Sequence, residues 1–81
     1  GDLMGSAKKV PVGWNATKYP GEWVKDLPQG ICIVREGSDG SPCVVRCYTG
    51  SGGEPEDISC DTVEECFDAG DRFLNKLQER V

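Results

Sequence analysis

The period of the hydrophobic positions changes once along this chain. Ile31-Cys32-Ile33-Val34-Arg35 is short and β-branched, which predicts a strand with Ile31, Ile33 and Arg35 on one face and Cys32 and Val34 on the other. Cys43–Thr49 predicts a second strand, with Cys43, Val45 and Cys47 alternating against Val44, Arg46 and Tyr48. Further on, Val63, Cys66, Phe67, Gly70, Phe73, Leu74, Leu77 and Val81 recur at three- and four-residue steps, the stripe of an amphipathic helix. Asp61 at the N-cap with Glu64 three residues later predicts a capping box, so the helix is expected over Asp61–Val81. Gly70 interrupts the stripe, which a close approach of sheet to helix would explain.

Turn-forming residues separate these elements. Leu27-Pro28-Gln29-Gly30 reads as the entry to the first strand, Gly37–Pro42 as a polar turn and Gly50–Pro55 as a flexible link. Glu56–Ser59 is expected to add a short third strand. Residues 1–20 show neither period and read as an arm, with Trp14, Tyr19 and Trp23 holding it against a domain at 21–81. The predicted fold is α+β: a small antiparallel sheet of two to four strands, one face covered by a single C-terminal helix.

Charge changes the picture more than size does. The 81 residues make one domain with a net charge of −5. Residues 1–50 carry six cations against five carboxylates, whereas residues 51–81 carry three against nine. The acidic half repels a phosphate backbone, and the other half attracts one only weakly. No apolar run is long enough to span a bilayer, so no membrane role is expected. Residues 1–9 lack the apolar core of a signal peptide, and residues 1–6 read as a cloning or processing remnant, which leaves room for a leader already removed.

The chain has no histidine, the commonest general base and metal ligand. Its carboxylates fall on solvated helix and loop positions, so no enzymatic role and no cofactor is expected. The five cysteines, Cys32, Cys43, Cys47, Cys60 and Cys66, admit three states. Zinc ranks last, because Cys60-x5-Cys66 is too wide for a knuckle and Cys43 and Cys47 lie far apart on a straight strand. Buried free thiols rank first and one or two disulfides second; the Asn15-Ala16-Thr17 sequon would suit the latter in an exported protein.

Several short stretches resemble the methyl-CpG-binding domain and, more broadly, AP2-type DNA-binding domains, over about residues 27–75. Leu27-Pro28-Gln29-Gly30-Ile31 resembles the Leu-Pro-x-Gly-Trp opening, with Ile31 in place of tryptophan. Val10-Pro11-Val12-Gly13-Trp14 matches that opening more fully but lies too far from Arg35 without an insertion. Arg35 with Gly37 resembles the first arginine segment, Arg46-Cys47-Tyr48 the strand ending in tyrosine, and Ile58-Ser59 an arginine-serine pair that has lost its arginine. The resemblance implies a nuclear, monomeric module binding double-stranded DNA through its sheet. Arg35, Arg46 and Tyr48 would touch the ligand, with Lys8, Lys9, Lys18 and Lys25 on phosphate. Glu36, following Arg35, departs from the basic character such a site needs. The alternatives are a protein-interaction module using the same sheet face or the acidic helix face, and a secreted cysteine-rich effector or inhibitor. On their own, Arg35 and Arg46 are ordinary exposed strand residues, and Trp14 and Trp23 ordinary core residues.

Overall fold

Six elements follow one another in the computed structural model, which describes residues 10–37 and 41–79. They are β1 (Asn15–Ala16), β2 (Glu22–Leu27), β3 (Gly30–Arg35), β4 (Cys43–Thr49), β5 (Glu56–Cys60) and α1 (Val63–Glu79). The strands form one antiparallel sheet in chain order, β1-β2-β3-β4-β5, with α1 against one face. The α+β architecture is the one the periodicity predicts, with five strands rather than two to four.

The two additional strands lie N-terminal to the predicted sheet. In β2, Leu27 pairs with Gly30 across a loop of only Pro28 and Gln29. The segment that reads as a strand entry is therefore the tip of a β2–β3 hairpin. β2 escapes a pattern search because three of its six residues are charged and its core-side face, Trp23, Lys25 and Leu27, includes a lysine. That lysine is tolerated because its Nζ lies 2.8 Å from Asp71 Oδ1 on α1. Residues 10–20, expected to form an arm, contribute β1 and the buried Trp14, whereas Tyr19 remains exposed.

The core lies between α1 and one face of the central strands. Cys32, Val34, Val45 and Cys47 contribute from the sheet, and Val63, Cys66, Phe67 and Leu74 from the helix, with Trp14 closing one end. Phe67 is the hub: its ring centroid lies 5.1 Å from that of Trp14 and 5.5 Å from that of Trp23, both in tilted or edge-on geometries favoured by ring quadrupoles. Gly70 lies beneath Trp14, where a Cβ would come within 2.8 Å of the indole. The glycine therefore makes room for an aromatic ring as well as for the sheet.

The helix starts later than predicted. Thr62 is the N-cap: its Oγ1 accepts from the Glu65 N–H at 3.2 Å, and Glu65 Oε1 accepts from the Thr62 N–H at 3.2 Å. The capping box is thus Thr62–Glu65 rather than Asp61–Glu64, because the Asp61 N–H also donates to Glu65 at 3.1 Å and so lies outside the box. Residues 80 and 81 of the expected helix, and residues 38–40 of the polar turn, lie outside the described residues.

The cysteines fall into two groups. Cys32 and Cys47 are directly paired across β3 and β4, buried, with sulfurs 3.2 Å apart and not bonded. The hydrogen bond with Cys47, together with burial, raises the Cys32 thiol above its ordinary value. Cys43 and Cys60 pair across β4 and β5, and Cys66 approaches from the helix; burial, with a contact to Cys60, pushes its thiol up to about 12. All five cysteines are free thiols. Among the described residues no group of three cysteines or carboxylates is arranged to hold a metal.

Candidate binding face

Helix α1 covers one side of the sheet, and no other described element lies on the opposite side. Strand register decides which side chains meet there, since alternate residues point to opposite faces. One row across the sheet is Glu22, Arg35, Val44 and Ser59; the next is Asn15, Val24, Ile33, Arg46 and Asp57; a third is Asp26, Ile31 and Tyr48. The centre is apolar and half-exposed: Val24, Ile31, Ile33, Val44 and Tyr48. Between the two arginines the face sinks into a depression of about 390 Å³ floored by Ile33 and Val44 and bounded by Tyr48.

Both arginines are held by carboxylates of the same face. Arg35 Nη2 lies 2.9 Å from Glu22 Oε2. Arg46 grips Asp57 with two hydrogen bonds, 2.8 Å from Nε and 3.1 Å from Nη2. Glu22 is itself buried and also accepts a 2.7 Å hydrogen bond from Thr17 Oγ1. Thr17 first, and then Arg35, holds its carboxyl below the ordinary 4.5. Arg46 likewise holds the Asp57 carboxyl below 3.8, while Asp57, with help from Tyr48, raises the Arg46 guanidinium.

These depressed carboxyls predict an acid limb. Each contributes stability in full above its unfolded value, and the contribution is lost as pH falls through the lower folded value. Unfolding midpoints measured from pH 6 downward should therefore fall below about pH 4.5. Glu22→Gln should flatten that limb. An unchanged limb in the variant would show that the Thr17–Glu22–Arg35 cluster does not carry it.

The residues that the resemblance assigns to a nucleic acid separate in space. Arg35, Arg46 and Tyr48 share the open face. Lys25 lies on the opposite face, where Asp71 holds it and also accepts from Trp14 Nε1 at 3.2 Å. Lys18 lies in the β1–β2 connection, with its Nζ 5.2 Å from the Tyr19 ring centroid. Lys8 and Lys9 lie outside the described residues. Sequence reasoning missed the arginines' partners Glu22 and Asp57 and the central Val24. Only the cross-strand register brings them together, and nothing in the local pattern encodes it.

Compared with protein-family models, curated proteins and solved structures, the chain matches none. No helix among the described residues is long and apolar enough to cross a membrane.

Proposed function

We propose that the chain is a non-enzymatic protein-interaction module that binds a protein partner through the open face of its sheet. The observation that carries this reading is the composition of that face: five half-exposed apolar side chains at the centre, with both arginines already neutralised by Glu22 and Asp57. A contiguous apolar centre with a polar rim is the usual anatomy of a protein interface. By register the face also carries Asp26, so its carboxylates outnumber its two arginines. A polyphosphate would have to break both ion pairs and then meet three uncompensated carboxylates.

A second reading, duplex DNA bound through the same face, is favoured by the grouping of Arg35, Arg46 and Tyr48 on it. One pair of measurements separates the two. Ile33→Lys should abolish capture of the partner that the wild-type protein retains, while Asn75→Ala, on the exposed helix surface, should leave it intact; both variants should keep the wild-type circular dichroism spectrum. Amide NMR titration with a short duplex at low salt, unmethylated and then CpG-methylated, should leave residues 35, 46 and 48 unmoved. Shifts gathered there, lost in the Arg35→Ala, Arg46→Ala double variant, would instead establish the nucleic-acid reading.

A further inference from the structure

β5 is the last strand of the sheet, and its outer edge pairs with no other described strand. Such an edge presents a row of backbone donors and acceptors to anything extended enough to meet them. Helix α1 lies mainly over β3 and β4. The space left between β5 and α1 is a groove of about 900 Å³. Its floor is apolar and half-exposed: Ile58 from the strand, and Ala69, Phe73 and Leu77 from the helix.

Charge is placed at both ends of this groove. Glu56 opens β5, and Asp61 follows directly after it, with Glu65 and Asp68 on the adjoining helix turns. Arg72 and Lys76 also line the groove, but Arg72 is held 3.0 Å from Asp68. The rim is therefore net acidic. A second copy of this chain would bring its own Glu56, Asp57 and Asp61 against the same carboxylates, which disfavours self-pairing.

We propose that this groove takes an extended segment of a protein partner, apolar at alternate positions and basic at both ends, which adds as a sixth strand along β5. Main-chain hydrogen bonds to the β5 edge supply affinity, and side chains inserted against Ile58, Phe73 and Leu77 supply selectivity, the mode by which extended peptides join an exposed sheet edge. Basic flanks face Glu56 and Asp61. This surface is distinct from the open face, so its failure would leave the preceding reading untouched.

The test uses the whole chain and the acetylated, amidated heptapeptide Lys-Thr-Val-Thr-Val-Thr-Lys, whose lysines and valines share one face, as Glu56 and Ile58 do on β5. Amide and methyl NMR shifts are expected over residues 56–60 and at the side chains of Phe73 and Leu77, with slowed amide exchange at alternate positions of β5. Two control peptides separate strand addition from charge attraction without altering the protein. One is N-methylated on its valines and the other on its threonines, so each blocks one edge of the added strand. One should bind at least about tenfold more weakly and the other close to normally, since only one edge bonds to β5. Equal loss with both, loss with neither, or shifts confined to the open face would overturn the proposal.

Discussion

Replacing Trp14 with alanine should destabilise the domain by about 3–5 kcal/mol, the range for deleting a large aromatic side chain from a core. Trp14 is 5% exposed, packs on Phe67 and donates its indole N–H to Asp71. A single core in a chain of this size supplies little more than that amount in total, so the variant should be largely unfolded near room temperature. Thermal unfolding followed by circular dichroism should show a midpoint lower by roughly 15 °C or more, if a transition survives. Trp14→Phe should recover part of the loss. A change below about 1 kcal/mol would mean that the segment before β2 docks on an already stable sheet and helix rather than completing their core.

The second large effect has the opposite sign from what its local context suggests. Alanine at a glycine in the interior of a helix ordinarily gains about 1 kcal/mol. At Gly70 the new Cβ would lie 2.8 Å from Trp14 Cη2, 3.0 Å from Cζ2 and 3.4 Å from Cys32 Cβ. The indole is a rigid ring in a filled core, so the neighbours cannot yield cheaply. Overpacking of this kind costs about 1–3 kcal/mol, and Gly70→Leu should reach the upper end. The two sites should be coupled: in a Trp14→Ala background, Gly70→Ala should become stabilising, because the clash is gone and the helix preference remains. A double-mutant cycle from denaturant unfolding measures that change of sign. Additive effects would show that Gly70 is not there to admit the ring.

The same pair shows how far local pattern reaches. The helix is legible because six apolar residues, Val63, Cys66, Phe67, Phe73, Leu74 and Leu77, recur at helical spacing, and each reports the same face independently. β3 and β4 are legible for a similar reason: alternation puts Cys32 with Val34, and Cys43 and Val45 with Cys47, on one face of each strand, and the folded chain turns those faces to the core. Gly70 was recognisable as a close approach, but its neighbour across the gap was not. Trp14 lies 56 positions earlier, in a stretch with no period of its own.

The chain's own order of residues determined the α+β class, the helix and its core stripe, the two central strands and the faces of each. These follow from periodicity, which is a property of neighbours in sequence. Tertiary structure alone decided what those faces meet. Cross-strand register gave Arg35 and Arg46 their carboxylates, a partner 46 positions away let Lys25 sit beneath the sheet, and the placement of α1 over β3 and β4 left the groove beside β5. Local preferences fix how each segment is shaped. The free energy of burying charges and rings depends on segments distant in sequence, and only the folded chain brings those together.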